Sequence, residues 1–294
     1  MNRLKHILCP VDFSEASYQA IEKASFFAQL FQADLTLLHV INVLPQSFGV
    51  VFGLDINSNN MVEKATENAR TLLREAKKNY VPYAVTCKSS IRVGNHAEQI
   101  LLEADEISAD LIVLNLPEMA SSDASGKASY TDHLVLHADC PVMTFRANKP
   151  DGIEARKGFR KILIPVNRNS PLAEIYRYLD QYLSFMAPEI TLFSVLPPDA
   201  SDLRKNDYKL FHQMTTKEWV GKGLGKITAV IQEGTDARQG IRQYALSHGY
   251  DLLLLYTNVR EGHYAEDENG VANLVNHASV PVITLRTGKT TSSA

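Results

Sequence analysis

Short apolar runs alternate with amphipathic segments from the beginning of the sequence. The run "HILCPV" (His6 to Val11) is strand-like, and helical periodicity begins after it at Glu15. Apolar residues then recur at i, i+4, i+7, i+8 and i+11, which is the spacing of one helical face: Ala20, Ala24, Phe27, Ala28 and Phe31. The pattern predicts a strand followed by a helix that is buried on one side.

The same alternation continues to about residue 146. Strands are predicted at "LTLLHV", "AVTCKSS", "DLIVL" and "PVMTFR", and helices at residues 62–80, "AEQILLEADEI" and "SYTDHLVLHA". Near-continuous apolar strands that are joined by helices are typical of a parallel sheet covered on both faces. We therefore predict an α/β fold with a doubly wound sheet of five parallel strands.

The second half of the chain repeats the first. "KHILCPVDFS" (from Lys5) matches "RKILIPVNRN" (from Arg160), 155 positions later. "HADCPVMTFR" (from His137) matches "HASVPVITLR" (from His277), 140 positions later, so the second copy is about 15 residues shorter. A period of this length indicates duplicated domains, because solenoid repeats are much shorter. The predicted domains are residues 1–147 and 159–288, with a linker at 148–158 and a tail at 289–294.

Composition narrows the classes of partner and chemistry. A chain of 294 residues with 45% hydrophobic residues and a net charge of −3 has no basic surface for nucleic acid and no cationic face for a membrane. The N-terminal segment lacks a signal-peptide core, which favours a cytoplasmic location. Cys9, Cys87 and Cys140 show no C-x-x-C spacing and the histidines form no H-E-x-x-H group, so neither redox chemistry nor a metal site is predicted.

Open parallel sheets bind ligands beyond the carboxyl ends of their strands, where the strand order reverses. The residues that follow the first and fourth predicted strands are Asp12, in "PVDFS", and Asn115, in "DLIVLNLPEM". Asp12 has two interpretations. It could read the amino group of an adenine, or it could cap the first helix together with Ser14.

Taken together, these segments resemble a universal stress protein domain. The resemblance is carried in the first copy by "ILCPVDFS", "DLTLLHV", "VGNHAEQIL", "ADLIVL" and "HADCPV". In the second copy it is looser and is carried by "ILIPVNRNS", "EITLFSV", "EGTDARQGI", "YDLLLLY" and "HASVPVITLR". It implies two repeats of the adenine nucleotide alpha hydrolase-like fold, and hence a tandem universal stress protein.

In nucleotide-binding members of that family, the loop after the fourth strand reads G-x-x-G, nine residues, then G-[ST]. Its glycines let backbone N–H groups approach the phosphates, and its hydroxyl residue opens a helix whose N-terminus favours an anion. Here the loop keeps its length, but the glycine positions hold Asn115, Glu118 and Ala128, and only Ser129 matches. Ser129 could contact an anion or simply cap the helix with Asp132. The resemblance implies a phosphate loop that has lost most of its phosphate contacts.

The second copy departs further from the family pattern. Asn167 matches Asp12, and the loop after the fourth strand is one residue shorter. Its glycine positions hold Tyr256, Val259 and Glu268, and Asn269 replaces the hydroxyl residue. No phosphate binding is expected there. Ser170 and Pro171 are predicted as the N-cap and first-turn residue of the first helix in this copy.

Three functions remain open. The leading one is a non-catalytic stress-response module that acts through binding and association without tight ATP binding, because no catalytic constellation is recognised and the loop glycines are lost. The first alternative is an ATP-binding stress switch with weak ATPase activity. Its nucleotide contacts would be Val11, Asp12, Val40, Asn115 and Ser129.

The second alternative is a carrier of a small apolar ligand. It rests on the segment Pro45 to Asn57, which is strongly apolar for a loop and needs cover. Packing of this segment against the other domain or a second subunit is the first interpretation, and a lid over a ligand is the second. We therefore expect a protein partner of unknown identity, or a homodimer, rather than nucleic acid or a membrane.

The two copies are predicted to pack as an internal pseudo-dimer. Each ends in an edge strand, "CPVMTFRA" or "VPVITLRT", whose backbone groups stay unpaired unless they are covered. In the resembled family these edges pair between domains. A crystal structure with the two domains separated on the linker would contradict this prediction.

Overall fold

The computed structural model describes residues 4–42, 58–116, 130–146, 158–258 and 268–287. The chain divides into two compact units at the bond between Val142 and Met143. The predicted linker, the segment Pro45 to Asn57 and the loop residues Glu118, Ala128 and Ser129 lie wholly or largely outside the described residues. Within the described ranges, every helix is too short or too polar to span a bilayer.

The two copies have the same order of elements. The first contains strands β1 (His6–Pro10), β2 (Asp34–Ile41), β3 (Cys87–Val93), β4 (Leu111–Leu116) and β5 (Val142–Arg146), with helices α1 (Glu15–Phe31), α2 (Ser58–Tyr80), α3 (His96–Glu106) and α4 (Tyr130–His137). The second contains strands β6 (Lys161–Pro165), β7 (Glu189–Leu196), β8 (Ile227–Glu233), β9 (Leu252–Asn258) and β10 (Val282–Thr287), with helices α5 (Leu172–Tyr178), α6 (Asp202–Gly221), α7 (Ala237–Ser247) and α8 (Glu268–His277). The predicted α/β class with two repeats is confirmed.

The strands of both units run parallel and are doubly wound. The strand order is β3-β2-β1-β4 in the first unit and β8-β7-β6-β9-β10 in the second, so the order reverses beside β1 and beside β6. The register is also the same: Ile7 lies opposite Leu35 and Leu111, and Ile162 lies opposite Ile190 and Leu252. The duplication seen in the sequence therefore extends to individual residue pairs.

Helix α1 shows why the periodicity was informative. All five residues of its predicted apolar face are buried: Ala20, Ala24, Phe27, Ala28 and Phe31. The helix begins after Ser14, whose side chain accepts a hydrogen bond from the backbone N–H of Ser17. It ends at Gln32, which has a left-handed backbone conformation with φ of 57°.

An aspartate secures the amino end of the central strand in each copy. The carboxylate of Asp110 accepts hydrogen bonds from the backbone N–H groups of Lys5 (2.6 Å) and His6 (3.0 Å). In the second copy, Asp251 accepts the same two bonds from the residues that begin β6, at 2.8 and 3.0 Å. These carboxylates satisfy strand-end donors that would otherwise lack a partner in the sheet.

Two sequence predictions were wrong in detail. Strand β3 begins at Cys87, three residues after the predicted start at Ala84. Helix α5 has Pro171, not Ser170, at its N-cap, and no side chain caps it. The reason is that the Ser170 hydroxyl is used elsewhere: it accepts a hydrogen bond from the backbone N–H of Asn167 (2.7 Å).

Candidate functional site

The predicted site residues that the structure describes lie at one edge of the first sheet. Val11 and Asp12 follow β1, Val40 lies near the end of β2, and Asn115 lies near the end of β4. Because β1 lies between β2 and β4 and all three are parallel, their carboxyl ends meet at this edge. This is the place where a doubly wound sheet binds ligands.

Asn115 reaches across this edge to the first helix. Its side-chain Nδ2 donates a hydrogen bond of 2.7 Å to the backbone carbonyl of Ala16, in the first turn of α1. A glycine at this position would have no side chain with which to make this bond. The side chain that replaces the family glycine therefore links the end of β4 to the beginning of α1; we call the space at this edge of each copy its cleft.

Asp12 is part of the turn that begins α1. Its Oδ1 accepts hydrogen bonds from the backbone N–H (2.9 Å) and the hydroxyl (2.6 Å) of Ser14. Partial burial acts to raise the pKa of Asp12, but the hydrogen bonds from Ser14 outweigh it and hold the pKa below its ordinary value. Asp12 thus remains ionised at neutral pH. Its hydrogen bonds to Ser14, the N-cap of α1, are those expected if it helps to cap the helix.

Val11 and Val40 are buried core residues, 4% and 5% exposed. Both backbone groups of Val11 are already used: its N–H donates to Leu38, and its carbonyl accepts 2.7 Å from Nδ1 of His39. The His39 ring also contacts the ring of Phe13, with centroids 4.4 Å apart. Phe13 has a φ of 65°, which is rare for a bulky residue and marks a strained turn.

The charge of Asp12 extends to the beginning of α4. Burial, followed by the carboxylate of Asp12, raises the pKa of Tyr130, the first residue of that helix. The N-terminus of a helix normally attracts an anion. Asp12 therefore lies close enough to the beginning of α4 to act electrostatically on its first residue.

A different side chain makes the same bridge in the second copy. Tyr256 occupies the position of Asn115, and its hydroxyl lies 2.5 Å from the hydroxyl of Ser170, at the beginning of α5. Asn167, which replaces Asp12, keeps the turn: its Oδ1 accepts a hydrogen bond of 2.8 Å from the backbone N–H of Asn169. The turn therefore survives the substitution, but its negative charge does not.

A buried histidine is hydrogen-bonded near the carboxyl end of β6 in the second copy. Ser194 lies at the position of His39. Its hydroxyl donates a hydrogen bond of 2.6 Å to the carbonyl of Val166, just as the His39 ring donates to the carbonyl of Val11. The hydroxyl proton is then committed, so Nε2–H of His212 must donate to Ser194 across 2.8 Å. His212 comes from α6 and is 3% exposed. Each copy thus has an imidazole in the hydrogen bonds to the residue that follows its central strand. In the first copy it comes from β2, and in the second copy it comes from α6.

Sequence reasoning missed Phe13, His39 and His212. His39 and Ser194 could have been paired from the offset of 155 residues, because both fall in the matched second strands. His212 gave no signal, since its partner is fixed by how α6 lies on the sheet. Nothing in the sequence indicated the strained φ of Phe13.

Known proteins share this architecture and part of the sequence. A model of the universal stress protein family matches residues 3–146. This part of the chain belongs to that family. Two curated universal stress proteins of Methanocaldococcus jannaschii, MJ0531 and MJ0577, are each 25% identical to about half of this chain (51% and 48%), over 86% and 94% of their own lengths.

The full chain resembles solved structures of similar size. A universal stress protein from Archaeoglobus fulgidus superposes with a TM-score of 0.71 at 15% identity, covering 97% of both chains. Protein PA1789 from Pseudomonas aeruginosa, described as functionally unknown, gives a TM-score of 0.61 at 16% identity, covering 96% of this chain and 92% of that one. At these identities the likeness establishes the fold. With the repeated topology, it fits a tandem universal stress protein.

The buried His212 predicts a loss of stability in acid. Burial lowers its pKa from the ordinary 6.5 to about 4. Below pH 6.5 the unfolded chain therefore binds a proton that the folded chain does not, and stability falls as the pH drops toward 4. Between pH 6.5 and pH 4 this effect lowers the free energy of unfolding by about 3 kcal/mol in total.

Urea unfolding at pH 7 and pH 4.5 measures this effect. His212→Gln is the matched variant, because its side-chain amide keeps an N–H donor for Ser194 but does not titrate. We expect the variant to lose less stability than the wild type between the two pH values. An equal loss in both proteins would show that His212 does not cause it.

Proposed function

We propose that this universal stress protein is a non-catalytic module that acts in stress response through binding and association, without holding ATP tightly. Membership of the family supports the role in stress response. The observation that carries the rest is the hydrogen bond from Asn115 to the carbonyl of Ala16. It fills, with the protein's own amide, the place where a glycine turn would receive a nucleotide.

The first copy opposes a nucleotide in two ways. Entry of a phosphate chain beside β4 would require Asn115 to leave Ala16, at a net cost of about 1 kcal/mol. Glu118 occupies a second glycine position of the loop and would place a carboxylate near the phosphates. A triphosphate would therefore lose contacts and gain repulsion.

The second copy opposes a nucleotide mainly by bulk. The phenol of Tyr256 occupies the glycine position, and its hydroxyl is engaged by Ser170 at 2.5 Å. Asn167 lacks the charge with which Asp12 would accept a hydrogen bond from an adenine amino group. Removing one residue would therefore not restore this cleft.

Repair of the first loop tests the proposal. The triple change Asn115→Gly, Glu118→Gly, Ala128→Gly recreates the family glycines beside Ser129. Wild-type protein is expected to bind Mg-ATP with a dissociation constant weaker than roughly 100 μM, and the repaired protein at least tenfold more tightly, about 1.4 kcal/mol. Isothermal titration calorimetry measures both. Glycine should cost roughly 0.5–1 kcal/mol of stability per site.

The corresponding change in the second copy is the control. Tyr256→Gly, Val259→Gly, Glu268→Gly should gain no ATP affinity, because Asn167 stays in place of the aspartate and the loop remains one residue short. Micromolar binding of Mg-ATP by the wild type would overturn the proposal in favour of an ATP switch. A repaired first copy that binds no better than wild type would show that the loop residues do not close the cleft.

A further inference from the structure

Helix α4 carries two histidines on its outward face. Thr131, Leu134 and Val135 of this helix are buried, whereas His133 and His137 are exposed. The two histidines are four residues apart and so lie one above the other, with ring centroids 4.3 Å apart. The sequence prediction of no metal site overlooked this H-x-x-x-H pair, although it is visible in the sequence.

Two imidazoles one helical turn apart form a chelating pair. The same spacing presents the two zinc-binding histidines of helical H-E-x-x-H motifs. Imidazole nitrogen suits Zn²⁺, Ni²⁺ and Cu²⁺, with Cu²⁺ bound most tightly. Because the helix already holds both rings on one side, binding of the second ring adds little ordering cost.

We propose that His133 and His137 form a two-histidine site for a divalent first-row transition metal, with water in the remaining coordination positions. Among the described residues, no group of three or more histidine, cysteine or acidic side chains is placed to hold a metal. The protein therefore supplies two ligands at this place. The site is independent of the nucleotide cleft and of the proposed function.

The second copy shows the same helix without the pair. Asn273 and His277 of α8 lie at the positions of His133 and His137, 140 residues later. The side-chain oxygen of Asn273 accepts a hydrogen bond of 3.0 Å from Arg242, and Nδ1 of His277 lies 2.9 Å from the carbonyl of Asn273. One residue therefore separates a chelating helix from a non-chelating helix of the same fold.

Calorimetric titration of the full chain, free of any histidine tag, with NiCl₂ tests the site. The wild type should bind one Ni²⁺ at this site, and His133→Asn, which copies the second repeat, should weaken that binding at least about tenfold. His133 is exposed, so the His133→Asn variant should fold normally, which circular dichroism checks. The reciprocal variant Asn273→His creates H-x-x-x-H in α8 and should add a second site.

Thermal unfolding provides a second readout. A metal that bridges the two rings binds the folded helix in preference to the unfolded chain, so excess Ni²⁺ should raise the unfolding temperature of the wild type. The rise should be absent in His133→Asn and present in a distant control, His248→Asn. Unchanged Ni²⁺ affinity in His133→Asn, or no measurable binding by the wild type, overturns the proposal.

Discussion

The hydrogen bond from the side chain of Asn115 to the carbonyl of Ala16 spans the edge at which a doubly wound sheet opens to its ligands. It links the end of β4 to the first turn of α1, the helix that follows β1, and the strand order reverses between β1 and β4. Asp12 and Ser14 complete this region by fixing the turn into α1. The proposed function depends on this bond, because a nucleotide that enters at this edge would have to break it.

The second copy reaches the same result with different chemistry. A phenol replaces the amide, a serine hydroxyl replaces the backbone carbonyl, and an asparagine keeps the turn that the aspartate makes in the first copy. In the contact to the residue that follows the central strand, the imidazole of His39 is replaced by Ser194 together with His212. After duplication, the positions of the contacts were retained more strictly than the residues that make them.

The fold was predictable because its signals are local and repeated. The apolar face of α1 follows a period of 3.6 residues, and the central strands are continuously apolar. Both patterns can be recognised in a single sequence. Strand β3 was misplaced because only Cys87 at its start is buried and its remaining positions are half-buried or exposed, which weakens any periodic signal.

The site was predictable only in part. The sequence shows that Asn115 is not glycine, but the direction of its side chain and the availability of the Ala16 carbonyl depend on how α1 lies against β4. Ser170 looked like a helix cap because of its position before a proline, yet its hydroxyl bonds to Asn167 and Tyr256 across the second cleft. Contacts between residues that are 86 or 99 positions apart leave no trace in a local pattern.

The most direct test of this account is the hydrogen exchange of the Asn115 side-chain amide, followed by NMR on isotopically labelled protein with and without Mg-ATP. A closed cleft predicts that this amide is protected from exchange and that its resonance does not move at nucleotide concentrations up to about 100 μM. Rapid exchange in the free protein, or a shift of this resonance at low micromolar Mg-ATP, would contradict the claim that Asn115 closes the site.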